Sequence, residues 1–164
     1  METSFSLSTK TPEETTALGR LVGECCEGGE VFLLRGTLGA GKTCFCQGLA
    51  RGLGIPENEP VTSPTFTLHC QYFGRLEFNH LDAYRLEGTA GVEGLEELLG
   101  AVGAVAAVEW PDFISPQLPS SALSVDIEIA NSESRTLVFS ASDARAGKTL
   151  ERIVRTCSQS PRFP

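Results

Sequence analysis

Positive charge is scarce in this sequence, and the scarcity narrows the choice of partners. The 164 residues carry 13 Lys and Arg against 21 Asp and Glu, a formal net charge of −8. A duplex or a tRNA is repelled by that balance unless a local basic patch overrides it. The sequence displays no such patch, so strong direct nucleic-acid binding is not expected. No apolar run approaches the ~20 residues needed to cross a bilayer. Residues 1–14 lack the basic head and apolar run of a secretory signal, which points to a cytoplasmic protein. Cysteine is present but its pairing patterns are absent: Cys25, Cys26, Cys44, Cys46, Cys70 and Cys157 include no Cys-x-x-Cys. Cys44 and Cys46, two apart on an expected helix, point away from each other and make a poor ligand pair. Reduced, scattered thiols are the expectation. There is no internal repeat and no composition typical of disorder, since 41% of the residues are hydrophobic and 21% charged. The length suits one domain, assigned to residues 1–157, with 158–164 expected to form a frayed, disordered tail.

What is present alternates strand and helix. Residues 3–8 suit a short edge strand, with Phe5 and Leu7 alternating against serines. Thr11-Pro12-Glu13-Glu14 reads as a helix start, with Thr11 at the N-cap, Pro12 at the first helical position and acids in the first turn. Helical spacing of Ala17, Leu18, Leu21, Val22 and Cys25 carries that helix to about Cys26, and Gly28-Gly29 ends it. Glu30 to Arg35 is an apolar run suited to a strand covered on both faces. A glycine-rich loop follows, then a helix from about Lys42 to Leu53. Residues 65–73 and 75–81 read as a hairpin about Gly74. Val92 to Leu99 reads as a short amphipathic helix and Ala104 to Val108 as a second buried strand. Leu123 to Ile129 and Arg135 to Phe139 pair as antiparallel strands, and a last helix spans about Asp143 to Cys157. This is an α/β layered domain with a mixed sheet.

Gly36-Thr37-Leu38-Gly39-Ala40-Gly41-Lys42-Thr43 completes the pattern G-x-x-x-x-G-K-[ST] between a strand and a helix. The glycines let the backbone curl so that successive N–H groups face phosphate oxygens, and the helix adds its positive end. Lys42 brings a cation to the β- and γ-phosphates, and the Thr43 hydroxyl can ligate Mg²⁺. No Asn-Lys-x-Asp segment is present to read guanine, which favours ATP. Nor is there an Arg cluster after Glu109 to serve as a kinase lid. A small-molecule kinase remains the alternative, and an adaptor that barely hydrolyses ATP a third reading.

Carboxylates at strand ends are the natural metal and water contacts of such a site. Glu109 ends the strand Ala104–Val108 and is a candidate Mg²⁺ contact. In an extended segment His80, Asp82 and Tyr84 share one face while Leu81 and Ala83 pack on the other. Asp82 can orient water or metal, and Arg85 can hold phosphate or a carboxylate. His80 reads better as a half-buried structural histidine. Residue type alone does not separate a γ-phosphate sensor from a plain proline turn at Ser63-Pro64-Thr65-Phe66-Thr67.

Taken in order, Gly-x-Leu-Gly-Ala-Gly-Lys-Thr, Ser-Pro-Thr-Phe-Thr-Leu, His-x-Asp-x-Tyr-Arg-Leu and Glu-Trp-Pro resemble the TsaE family over roughly residues 11–129. That family supplies the small ATPase of bacterial threonylcarbamoyladenosine tRNA modification. The resemblance implies a P-loop NTPase-like, three-layer α/β fold with a mixed, mostly parallel sheet. It implies ATP and Mg²⁺ as ligands and partners like the TsaB and TsaD subunits. It also implies that ATP hydrolysis sustains multiple turnovers while the chain is not itself the threonylcarbamoyl transferase. By position, Thr43 and Glu109 are then Mg²⁺ ligands, and Thr37, Leu38, Gly39, Ala40, Gly41 and Lys42 hold the phosphates. Asp82, Lys42 and Glu109 support hydrolysis, Trp110 lies beside the nucleotide, Thr11 is near the adenine, and residues 63–67 are switch-like. Ala83 stands where a bulkier apolar residue is common, and the stretch after Ile129 matches no family motif.

Overall fold

The computed structural model describes residues 2–163. Seven strands form one mixed sheet. In chain order they are β1 (Thr3–Thr9), β2 (Val31–Arg35), β3 (His69–Phe73), β4 (Glu77–Asp82), β5 (Ala104–Glu109), β6 (Leu123–Ile129) and β7 (Arg135–Ala141). Across the sheet they run β1-β7-β6-β2-β5-β4-β3. The four central strands β6, β2, β5 and β4 are mutually parallel, and antiparallel pairs flank them on both sides. The sequence explains this division. β2 and β5 are apolar runs buried along nearly their whole length, as a parallel strand covered on both faces must be. β6 and β7 alternate buried and more open positions, the signature of a strand with one wetter face.

Four helices cover the sheet: α1 (Pro12–Glu24), α2 (Lys42–Gly52), α3 (Leu95–Leu98) and α4 (Ala144–Gln159). Side chains alternate across β2, so each face feeds its own core. Phe32 and Leu34 pack with α1, α2 and α4, whereas Val31 and Leu33 pack with Leu95, Leu99 and Ile114. Thr11 caps α1 as expected, its hydroxyl accepting the Glu14 N–H at 3.1 Å. The α1 and α2 backbones nearly touch. A Cβ on Gly48 would stand 1.9 Å from the Thr16 carbonyl oxygen, and one on Gly52 2.2 Å from that of Arg20. Only glycine permits this approach, which ties α1 closely to the helix that follows the glycine-rich loop.

Four expectations are corrected. The strand expected from Thr65 starts only at His69: residues 65–67 turn, and Leu68 takes a left-handed φ of 71° with its N–H on the Pro64 carbonyl at 2.7 Å. The amphipathic segment 92–99 forms one helical turn, Leu95–Leu98, because Gly94 before it also takes a left-handed φ, 79°. The tail is not frayed along its described length: Ser158 and Gln159 close α4, and Phe163 is buried in the main core. Pro164 lies outside the described residues. Finally, basic residues are gathered after all. Arg145, Lys148 and Arg152 of α4 line one cleft of about 200 Å³, where Glu27 and Glu30 partly offset them. Arg152 pairs with both acids. No helix among the described residues is long and apolar enough to cross a membrane.

Candidate functional site

The loop between β2 and α2 closes on itself. Gly41, the N-cap of α2, takes a left-handed φ of 110°, which lets the chain turn directly into the helix. Inside the loop the Ala40 N–H donates to the Thr37 carbonyl at 3.0 Å. The Lys42 ammonium donates to the Gly36 and Thr37 carbonyls and sits 4.1 Å from the Trp110 ring centre. Lys42 is 5% exposed. Burial pushes its pKa below the usual lysine range, and the Glu109 and Asp82 carboxylates push it back up.

Two acids face this loop. Asp82 ends β4 and Glu109 ends β5, and the parallel pairing sets them side by side in register. Each is 3% exposed. One Asp82 oxygen accepts the Ser63 hydroxyl at 2.8 Å and the Thr65 hydroxyl at 2.9 Å, and the other accepts the Tyr84 N–H at 2.9 Å. Glu109 accepts Ser63 at 3.3 Å and stands 2.6 Å from His80 Nε2. The proline turn at residues 63–67 therefore touches both carboxylates through hydroxyls. His80 is not half-buried, as expected, but wholly buried, stacked on Phe78 and aimed at Glu109. Among the described residues its Nδ1 has no hydrogen-bond partner.

The cleft between loop and acids holds about 400 Å³. It is lined by Leu38, Gly39, Gly41, Lys42, Thr43, Asp82, Glu109 and Trp110 among the anticipated residues, with Ser63, Thr65 and Tyr84 from the segments facing the loop. Thr37 and Ala40 do not line it; they brace the loop from within through the contacts above. Thr11 also stands apart from the lining, its hydroxyl used in capping α1, and α1 approaches the loop at Thr15 instead. Tyr84 leaves the face shared by His80 and Asp82 because the chain turns into a 3-10 helix, Tyr84–Leu86. It joins Trp110 and Phe113 in an aromatic wall, with Trp110 and Phe113 stacked at 6.0 Å. Arg85 holds no carboxylate among the described residues; its guanidinium lies 4.3 Å from the ring centre of Phe66, itself 85% exposed.

Sequence reasoning missed three features. Arg135 of β7 donates to the Ala40 carbonyl at 2.8 Å and the Gly39 carbonyl at 3.1 Å. Cys46, one turn into α2, places its sulfur within 4.8 Å of ligand atoms of His80 and Glu109. Burial, reinforced by the Glu109 and Asp82 charges, holds that thiol well above the ordinary cysteine range, so it is an uncharged neighbour of the acids. Glu109 itself is fixed by His80. None of these carries a local motif; only a conspicuous Arg in a strand gave any signal.

A triphosphate with its divalent cation fits the donor set. Curled amides and a buried ammonium suit phosphate oxygens, while two buried carboxylates and the Thr43 hydroxyl are hard oxygen ligands of the kind Mg²⁺ prefers. The family model described as threonylcarbamoyl adenosine biosynthesis protein TsaE matches residues 9–137. The chain belongs to the TsaE family. A relative from Bacillus subtilis, named tRNA threonylcarbamoyladenosine biosynthesis protein TsaE, is 40% identical over 148 residues, covering 90% of this chain and 92% of its own. Its namesake from Treponema pallidum is 38% identical over 121 residues, 73% of this chain and 88% of that one. The crystal structure of Bacillus subtilis YdiB superposes with a TM-score of 0.82 at 35% identity, covering 94% of this chain and 97% of that chain. The family's P-loop NTPase-like fold is thus shared across nearly the whole chain, including the stretch after Ile129.

Proposed function

We propose that this chain binds Mg·ATP in the cleft, hydrolyses it to ADP and phosphate, and serves as the ATPase subunit of threonylcarbamoyladenosine formation in tRNA. The names of its relatives support the pathway. The observation that carries the chemistry is the registered pair Asp82 and Glu109, buried across one cleft from Lys42 and Thr43.

Each residue has a distinct task. The loop amides and Lys42 bind the phosphates. Thr43 and Glu109 hold the metal, directly or through water, and His80 fixes the Glu109 carboxylate. A Mg²⁺ held by these residues would supply charge neutralisation at the phosphates. Asp82, held by two hydroxyls and a backbone N–H, orients the attacking water. Ser63 bonds both carboxylates and Thr65 bonds Asp82, so the turn at residues 63–67 is coupled to the site and would be the switch-like element presented to TsaB- and TsaD-like subunits. In this reading the energy of hydrolysis resets the partner complex and does not build a phosphorylated product. The threonylcarbamoyl group is transferred elsewhere.

The test is reconstitution with TsaB- and TsaD-like subunits, tRNA and a threonylcarbamoyl donor. Wild-type protein with ATP sustains repeated turnovers, and Lys42→Ala stops the reaction after about one. Undiminished turnover with Lys42→Ala refutes the assignment.

A further inference from the structure

Arg135 lies 95 residues beyond Ala40, yet its side chain reaches the outside of the phosphate loop. Its five N–H donors form a rigid planar fork, and every nitrogen is engaged with main-chain carbonyls. Nε bonds Ala40 at 2.8 Å and one terminal nitrogen bonds Gly39 at 3.1 Å. The other terminal nitrogen bonds Asn131 and Ser134, each at 3.0 Å, and Ser132 at 3.4 Å. One guanidinium thus staples the β6–β7 turn to the loop.

The two loop contacts have a geometric consequence. A trans peptide is planar, so its C=O and N–H point to opposite sides. Pinning the Gly39 carbonyl turns the Ala40 N–H inward, where it meets the Thr37 carbonyl at 3.0 Å. Pinning the Ala40 carbonyl turns the Gly41 N–H away from Arg135 in the same way. Gly39, at a left-handed φ of 81°, has no neighbour within 4 Å of where a Cβ would stand, so no side-chain packing holds this part of the loop. A loop this free needs an external constraint to hold its amides in one orientation. The fixed positive charge behind the loop adds to the attraction for an anion.

We propose that Arg135 is a positioning residue for the nucleotide: by holding the Gly39 and Ala40 carbonyls outward it fixes the curl that the Ala40–Thr37 bond closes, and it leaves the Gly41 N–H turned away from Arg135, preset to receive a phosphate oxygen. The inference rests on the reading that the loop binds Mg·ATP. Preorganisation of this kind raises affinity and leaves the chemical step alone.

The experiment measures Mg·ATP affinity by calorimetry and steady-state KM and kcat for wild type, Arg135→Ala, Arg135→Lys and Asn131→Ala. Arg135→Ala raises Kd and KM at least about tenfold, with kcat at saturating ATP nearly unchanged. Arg135→Lys, which keeps the charge but not the fork, recovers only part of the loss. Millimolar guanidinium restores affinity to Arg135→Ala, and ammonium at the same concentration does not. Asn131→Ala loosens the turn, whose Ser134 and Glu133 N–H groups bond the Asn131 side chain; it lowers Tm and leaves affinity intact. If Arg135→Ala fails to fold, Arg135→Lys carries the test. Wild-type affinity in the Arg135 variants overturns the inference, as does an equal loss in Asn131→Ala. Absence of binding by the wild type overturns the ATP reading itself and takes this inference with it.

Discussion

His80 Nε2 stands 2.6 Å from a Glu109 carboxylate oxygen, and the two side chains are 0% and 4% exposed. A buried carboxylate bonded to a buried ring is both a structural pair and a means of aiming a metal ligand. Removing the ring leaves Glu109 buried with one weaker partner, Ser63. His80→Ala is expected to lower stability by about 3 kcal/mol and ATP turnover at least about tenfold. Urea unfolding and steady-state hydrolysis check the two effects. Wild-type values for both contradict the pairing.

Glu109 and Asp82 should separate by function. Glu109→Gln keeps a hydrogen-bonding side chain of the same shape but loses the charge that holds Mg²⁺. It is expected to raise the Mg²⁺ concentration required for half-maximal turnover at least about tenfold. Asp82→Asn leaves the metal requirement near wild type and lowers kcat instead. Titrating Mg²⁺ at saturating ATP distinguishes them; identical metal profiles would show that one carboxylate does not differ from the other in role.

The α1–α2 contact predicts opposite outcomes for two glycines. Gly48→Ala drives a methyl against the Thr16 carbonyl, 1.9 Å away, and neither helix backbone can yield cheaply. It is expected to cost about 3 kcal/mol or more. Gly147→Ala, inside α4 with nothing within 4 Å of the new carbon, is expected to add about 0.5–1 kcal/mol. Chemical denaturation of both variants reads the signs.

Much of this was legible in the sequence because it is local. The loop, its flanking strand and helix, the Thr11 cap and the strand-end position of Glu109 all follow from neighbouring residues. What was illegible arises from contacts across the chain. Nothing near Arg135 indicates that it will meet Gly39, and nothing near His80 announces Glu109, which β4–β5 pairing brings alongside. The misread strand start at Thr65 has a physical cause: the Ser63 and Thr65 hydroxyls bond Asp82 and hold the segment off the sheet. Thr11 was placed near the adenine by the family resemblance; in the structure its hydroxyl caps α1, a role that its position before Pro12-Glu13-Glu14 also announces. The tail was judged by its terminal position, which does not reveal that Phe163 returns to the core.

Cys157 predicts an alkaline effect. Burial pushes its thiol from 9.0 to about 11 in the folded state. Above pH 9 the unfolded chain therefore releases a proton that the folded chain keeps, so stability falls as pH rises from about 9 to 11. Below pH 9 this group adds no pH dependence. Cys157→Ser, which does not titrate there, is expected to show a shallower decline across that window in urea midpoints, and an identical slope contradicts the assignment.

Nucleotide binding at the loop is tested most directly by titrating Mg·ATP into the folded protein in a calorimeter, beside Lys42→Ala of matched helical content. A site of this construction gives saturable heat at one nucleotide per chain in the wild type and weakens at least about tenfold in the variant. No heat from the wild type, alone or with the partner subunits, or equal affinity in Lys42→Ala, contradicts it.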